Sequence, residues 1–426
     1  MKHTETAILG AGLAGLGFYT ATKCGLMFDK DERAGGHIKS IEVDGYFFDQ
    51  GAHICHSKDD VWLSLLRADN SEKISSKISK VLNVSGKDSF GYPVQNNLFK
   101  MDAEEKSSIL KELWENSLNT EKKEFTNYEE WLKRQYGQTL YENYYLKYTR
   151  KYWRTIPSKM SIDWLKGRLI SVDREKIISG LFGESAKSQA VFATFRYPKS
   201  QGFEFFFKHL YIDVPLELNH KVTRIDAINK VLYFEDKMPY KYNKLISSLP
   251  LTELIPMVDG ISESAGAAVG DLKYLNLIQI NLVLSKGTDS ELFNSDWFYV
   301  YDDDVDICRV SCIHNVRGGD TVRQVQAEIF RRNDEDRNIE LLINKGVEDL
   351  ARIMAFTNDE IISQSSSFIE YTYPVPLIGT GEIVETLKEE LESLDIFSIG
   401  VYGNWDYTFS DLTFKNAYEF GAKYRK

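Results

Sequence analysis

The chain opens on an apolar run, Glu5-Thr-Ala-Ile-Leu9, whose length and composition predict a short buried strand. Gly10-Ala-Gly12-Leu-Ala-Gly15 follows, and Leu16 to Lys23 reads as a helix. A second apolar segment, Gly25-Leu-Met-Phe-Asp29, predicts another strand and ends on a carboxylate. After His37 a strand pair follows that closes with Gly45-Tyr-Phe-Phe-Asp49-Gln-Gly51-Ala-His53. From Asp102 the spacing changes. Asp102-Ala-Glu-Glu105 has the form of a capping box, and Ile109, Leu110, Leu113 and Trp114 recur at helical intervals. Asn127 starts another helix, and residues 100–190 read as a helical insert dense in tyrosine and tryptophan. Lys221 to Pro250 returns to strand signals, and Leu277-Ile-Gln-Ile-Asn-Leu-Val-Leu284 alternates with period two, predicting an antiparallel sheet. The last strand, Ile396-Phe-Ser-Ile-Gly400-Val-Tyr402-Gly403-Asn-Trp405, leads into a helix starting near Asp411.

The glycines of the first turn give the pattern its chemistry. In a strand–turn–helix context, Gly10 permits the tight turn, Gly12 lets a pyrophosphate approach the backbone, and Gly15 lets the helix pack on the strand. Asp29 follows Gly10 by 19 residues, the spacing of an acid that accepts a ribose hydroxyl. Beyond it come Gly35-Gly36-His37 and then the aromatic-Asp-x-Gly-x-His segment ending at His53. This succession resembles the flavin amine oxidase superfamily, in which the segment wraps the ribose and pyrophosphate of FAD and enters the flavin site. Simple NAD dehydrogenases lack the paired glycines, so the resemblance implies FAD.

Composition removes several alternatives. The 426 residues carry 52 Lys+Arg against 63 Asp+Glu, a net charge of −11, which opposes nucleic acid or an anionic membrane as partner. Four scattered cysteines, Cys24, Cys55, Cys308 and Cys312, give neither a disulfide framework nor a zinc site and read as free thiols in a reducing cytoplasm. The seven histidines show no ligand spacing, so no metal is expected. No apolar run approaches the ~20 residues of a membrane span. Aromatics reach 13%, concentrated in the helical insert and near residues 373–407.

An ordered set of segments narrows the resemblance. These are Tyr92-Pro93-Val-Gln95-Asn96-Asn97, Asn127-Tyr-Glu-Glu-Trp131, the run from Lys151 through Trp153, Pro157 and Trp164 to Arg168, Ala193-Thr-Phe-Arg196-Tyr-Pro198, Tyr373-Pro374-Val-Pro376, and Gly400-Val-Tyr402-Gly403-Asn-Trp405-Asp-Tyr407. Together they are similar to the UDP-galactopyranose mutases, the eukaryotic branch more than the shorter bacterial one. The resemblance implies an α/β fold: a discontinuous Rossmann-type FAD domain (1–95, 192–255 and 394–426), a helical nucleotide-binding insert (96–191) and an antiparallel-sheet domain (256–393). It also implies a pyranose–furanose mutase without net redox, in which N5 of reduced flavin attacks the anomeric carbon of a nucleoside-diphosphate sugar, supplying furanose donors for surface polysaccharide. NAD(P)H is a candidate reductant, and a homo-oligomer is compatible with the sequence.

Matched position by position, the resemblance assigns Arg168 and Arg309 to the diphosphate, with Tyr373 and Tyr407 as hydroxyl donors beside it. Arginine's fork suits phosphate oxygens. His53 faces the flavin, and Gln95 and Trp153 hold the base. Gly10, Gly12, Gly15, Asp29, Gly35, Gly36, Val222, Gly400, Tyr402 and Asp411 contact the cofactor. Three positions depart from the family pattern: Val401 stands where an arginine contacts the flavin, Phe192 replaces a polar residue near the sugar, and Gln201-Gly202 replaces a glycine pair. A less polar sugar pocket suits a deoxy or otherwise modified hexose. A net oxidoreductase of the same superfamily is the alternative. It needs an apolar substrate tunnel and no diphosphate clamp.

Overall fold

The computed structural model of the chain describes residues 1–68, 70–118, 124–165, 173–183, 194–285, 290–319, 322–336 and 338–424. Strand Lys2–Leu9 lies inside an eight-stranded sheet, flanked in parallel by Lys237–Ser247 and Leu26–Phe28. Ala7, Ile8 and Leu9 are buried on both faces, as the inner strand of a parallel sheet requires. Ile396–Ser398 also pairs in parallel with Lys237–Ser247, returning the C-terminal segment to the first sheet. The strand expected over 396–405 is only Ile396–Ser398, because Gly400–Gly403 turns into a helix. Helix Leu13–Thr22 packs against helix Ser410–Tyr424 with backbones nearly touching: a Cβ on Gly17 would lie 2.5 Å from the Phe414 carbonyl oxygen.

A second sheet of seven strands runs in the order Ile361–Pro374, Tyr274–Leu284, Arg323–Arg332, Arg309–Cys312, Trp297–Val300, Val81–Ser85, Asp88–Gly91. Tyr274–Leu284 is antiparallel to both its neighbours, as its alternation predicts. The alternation does not mark a solvent face, however. Asn276, Gln279 and Asn281 are buried, and so are Gln324, Gln326 and Glu328 on the next strand. The apolar face packs on helix Ile339–Met354. The polar face is covered by residues 47–52 and hydrogen-bonds their backbone. Gln324 Nε2 donates to Phe47 O at 2.6 Å, Gln326 Nε2 donates to Asp49 O at 2.9 Å, and Gln279 Oε1 accepts from Gly51 N–H at 2.8 Å. Backbone that forms no ladder there is satisfied by side chains instead.

The helical segments Ala103–Leu118, Tyr128–Tyr136, Leu146–Trp153 and Arg174–Phe182 share a core with Leu275, Leu277 and Phe330 of the second sheet. Asn127 caps its helix by accepting from Glu130 N–H at 3.0 Å. Asp102 likewise accepts from Glu105 N–H at 2.8 Å, but the reciprocal arm of the expected capping box is not made, because Glu105 Oε1 accepts from Asn143 Nδ2. The hairpin of residues 81–91 extends the second sheet rather than the first. The helices of residues 251–268 and 380–393 pack into the core of the first. No helix among the described residues is long and apolar enough to cross a membrane.

Candidate active site

Three glycine turns meet at the end of helix Leu13–Thr22. Gly10, at φ 96°, donates its N–H to Phe28 O at 2.8 Å. A Cβ on Gly15 would lie 2.2 Å from the Gly10 carbonyl oxygen, and one on Gly36 would lie 3.1 Å from Gly12 Cα. Gly35 N–H bonds Ala11 O at 2.8 Å. Gly400, at φ 81°, brings the C-terminal turn against Ala14, where a Cβ would approach the alanine methyl to 2.7 Å. Gly12 offers the helix no side-chain cap, so the first-turn N–H groups, at the positive end of the helix, are left for an anion.

The surroundings complete this cradle. Asp29 Oδ2 accepts from Ala11 N–H at 2.7 Å and Oδ1 from Asp31 N–H at 3.0 Å, so the acid first fixes the glycine turn itself. Each oxygen keeps a lone pair for a hydroxyl. Burial pushes the Asp29 pKa up. Val222 begins a strand two residues after His220, whose N–H donates to Asp29 O at 2.8 Å. His37 is exposed at its surface while protein atoms crowd its ring. Its pKa is held below the usual range first by that enclosure, then by the charges of His53, Lys39 and Lys30. These lysines, which sequence reasoning missed, supply a positive field beside the cradle; Lys39 is itself buried and ion-paired with Asp31. Tyr402 lies with its ring 6.3 Å from His37, and its buried hydroxyl has no partner among the described residues. Glycine backbone, a helix N-terminus, an acid, two lysines and an orphaned hydroxyl fit a dinucleotide.

Next to the cradle, a cavity of about 340 Å³ gathers His53, Gln95, Trp153, Arg309, Tyr373, Tyr407 and Asp411 from distant parts of the chain. Arg168 and Phe192 lie outside the described residues. His53 follows strand Tyr46–Asp49 and stacks on Phe203 with ring centroids 5.1 Å apart. Asp49 holds Phe203 in place by accepting its N–H at 2.8 Å. His53 Nδ1 lies 3.1 Å from Gly51 O, so Nδ1–H donates there and Nε2 keeps its lone pair. Burial holds the His53 pKa down against the opposing charge of Asp49. Its neutral form therefore dominates at pH 7. The unfolded chain takes up the proton first, so the stability this group contributes is complete above its ordinary pKa of about 6.5 and is lost as pH falls below it.

Helix Leu146–Trp153 delivers Trp153, whose ring meets Tyr407 edge-on at 5.0 Å. Tyr373 meets Tyr407 at 4.9 Å, and the Tyr152 and Tyr407 hydroxyls are 3.0 Å apart. Burial raises Tyr373 to about 12, so it remains a hydroxyl donor. Gln95 Oε1 accepts from Tyr145 OH at 3.0 Å, which leaves its amide hydrogens for another acceptor. Asp411 lies in the first turn of helix Ser410–Tyr424. Arg309 is not a lone cation. Glu328, directly opposite it on the neighbouring strand, accepts from Nε at 2.7 Å and from Nη2 at 2.9 Å. Sequence reasoning missed Glu328. The period-two polar positions Gln324, Gln326 and Glu328 are its only signal, and alternation alone does not tell a solvated face from a buried one.

Fold and cradle together define a dinucleotide-binding protein of Rossmann type, and residues 8–68 match the NAD(P)-binding Rossmann-like domain family. Over nearly its whole length the chain is similar to a solved structure of reduced UDP-galactopyranose mutase, with TM-score 0.87, 23% identity, and 98% of this chain and 94% of that chain covered. It is also similar to a putative protoporphyrinogen oxidase from Exiguobacterium sp. 255-15 (TM-score 0.74, 15% identity, 100% and 99% covered). A putrescine oxidase variant redesigned in cofactor binding matches at TM-score 0.65 and 14% identity, with 99% of each chain covered. At these identities the likeness is one of fold.

Proposed function

We propose that this chain is an FAD-dependent nucleotide-sugar mutase that exchanges pyranose and furanose forms without net redox. The observation that carries the reading is the wall of the cavity: a half-buried arginine fork beside the hydroxyls of Tyr152, Tyr373 and Tyr407, facing a neutral histidine next to a dinucleotide cradle. A tunnel for an apolar amine has no use for that fork, which suits phosphate oxygens. The 0.87 TM-score to reduced UDP-galactopyranose mutase supports the same choice over the oxidase alternative.

On this reading Gly10, Gly12, Gly15, Gly35, Gly36 and Gly400 hold the FAD pyrophosphate, Asp29 a ribose, and Val222, Tyr402 and Asp411 its remaining edges. Reduced FAD, when bound, supplies a nucleophilic nitrogen for the anomeric carbon. The protein's own residues do the rest. Arg309, with Arg168, holds the departing diphosphate, and Tyr373 and Tyr407 donate hydroxyls to it. Gln95 offers its amide to the base and Trp153 walls it, while the packed rings exclude water. The paired charges of Arg309 and Glu328 leave the net positive charge for a diphosphate to Arg168. A homo-oligomeric state and NAD(P)H as reductant belong to the same proposal, as does the domain partition given above once the hairpin of residues 81–91 is moved to the antiparallel-sheet domain and the helix of residues 380–393 to the FAD domain.

Dithionite-reduced protein incubated with a panel of nucleotide-sugars, including deoxy-hexoses, is expected to give furanose products by chromatography. Oxygen consumption on an amine, with no furanose from any sugar, would overturn the reading. With an active sugar, kcat/KM is expected to fall on acidification with a midpoint below ~6.5, because His53 charges only below its ordinary pKa. An acid limb centred above that pH would assign it to another group.

A further inference from the structure

One buried carboxylate touches both sides of the cavity. Glu328 is 1% exposed and stands opposite Arg309 in the antiparallel pair Arg309–Cys312 and Arg323–Arg332. Its Oε2 accepts from Arg309 Nε at 2.7 Å, and its Oε1 accepts from Nη2 at 2.9 Å. The same Oε1 accepts the backbone N–H of Ala52, the residue before His53, at 2.8 Å.

The loop carrying that N–H has little freedom. Gly51 N–H is held by Gln279 Oε1 at 2.8 Å, and Gln279 is the cross-strand neighbour of Glu328. Gly51 sits at φ 81°, and a Cβ there would lie 3.5 Å from Leu277 and 3.7 Å from Glu328 Oε1, so the backbone passes close over the carboxylate. The Gly51 carbonyl in turn sets the tautomer of His53. A single oxygen therefore links the guanidinium to the frame that aims His53. An anion arriving on the remaining N–H donors of Arg309 competes with Glu328 for the guanidinium. The carboxylate oxygen then becomes a stronger acceptor for Ala52, since two donors that share one acceptor oxygen compete for it and weakening one bond strengthens the other.

We infer that Glu328 is a positioning residue that couples occupancy of the anion site at Arg309 to the His53 loop, tightening the loop when a diphosphate is bound. This rests on the mutase reading only in taking Arg309 as the diphosphate site. The geometry of the shared oxygen is independent of that reading.

The test uses the FAD-loaded full chain with UDP as probe, its binding measured separately by calorimetry. Amide hydrogen exchange is followed by mass spectrometry in peptides covering residues 50–54. In the wild type, saturating UDP is expected to slow exchange there by roughly threefold. Glu328→Gln keeps an acceptor for Ala52 but removes the ion pair. UDP is expected to bind it and to lose both the slowing and the accompanying change in the flavin visible spectrum. Glu328→Asp, one methylene shorter, should show a reduced response and provides a second variant if the glutamine protein does not fold. UDP binding to the wild type without an exchange response overturns the coupling alone. An equal response in Glu328→Gln also overturns it, because the ligand would then act on the loop directly. A wild type that does not bind UDP overturns the functional reading and the coupling together.

Discussion

Arg309→Ala is expected to lower folding stability by about 3–5 kcal/mol and to weaken nucleotide binding by roughly a hundredfold. The two losses have different origins. The first comes from Glu328, which stays behind in the second sheet at 1% exposure with its cation gone. The Ala52 N–H and the surrounding amides do not neutralise a carboxylate, and a charge stranded in the interior costs more than the ion pair itself contributed. The second comes from the missing fork on the cavity wall. Combining Arg309→Ala with Glu328→Gln should recover most of the stability while leaving affinity low, because the uncharged amide fits the interior and restores no cation. Urea midpoints and UDP calorimetry on the single and double variants separate the two effects. A single variant that binds UDP like the wild type would remove Arg309 from the site. One that binds poorly with its stability intact would mean water reaches Glu328.

The parts of this site that were legible in the sequence are those fixed by local contact. Gly10, Gly12, Gly15 and Asp29 lie within one strand–turn–helix–strand unit: Gly10 is required by its φ of 96° and Gly15 by the Gly10 carbonyl five residues earlier, while Gly12 leaves room for an approaching ligand. The positions of His53, Arg309, Tyr373 and Tyr407 followed from an ordered resemblance, and the structure brings them around one cavity. What was not legible depends on pairing across the chain. The alternation of Arg323–Arg332 does not say what covers its polar side, and only the packing of residues 47–52, about 270 positions earlier, buries it. Glu328 disappears from a sequence reading for the same reason that it matters in the fold. The hairpin of residues 81–91 could not be assigned to the second sheet, since Val81–Ser85 pairs in parallel with Trp297–Val300, more than 200 residues on. Nor does any spacing link Gln95 with Tyr145, 50 positions apart on separate elements.

Gly15→Ala is expected to cost about 3 kcal/mol and to abolish FAD binding at micromolar concentrations, although it adds a single methyl group. The added carbon would lie 2.2 Å from the Gly10 carbonyl oxygen and 3.3 Å from Ile8 Cγ2. The first contact is backbone and cannot be relieved by a rotamer, so either the turn or the helix must move. The helix has nowhere to go. Its far side meets helix Ser410–Tyr424 through Gly17, where a Cβ would already lie 2.5 Å from Phe414 O, and through Gly421, whose Cβ would lie 3.0 Å from Phe18 O. Displacing Leu13–Thr22 away from the strand drives it into that helix. Displacing the turn opens the Gly12–Gly36 contact and carries the first-turn N–H groups off the pyrophosphate position. Either response reaches the cofactor site, so stability and FAD affinity must fall together. Gly381→Ala provides the contrast: it lies in helix Thr380–Ser393 with nothing within 4 Å of a Cβ, and there the same methyl should raise stability by up to about 1 kcal/mol. Thermal unfolding and flavin fluorescence titration on both variants decide the matter. A Gly15→Ala protein with the stability and FAD affinity of the wild type would mean that the turn is not packed as tightly as these contacts require.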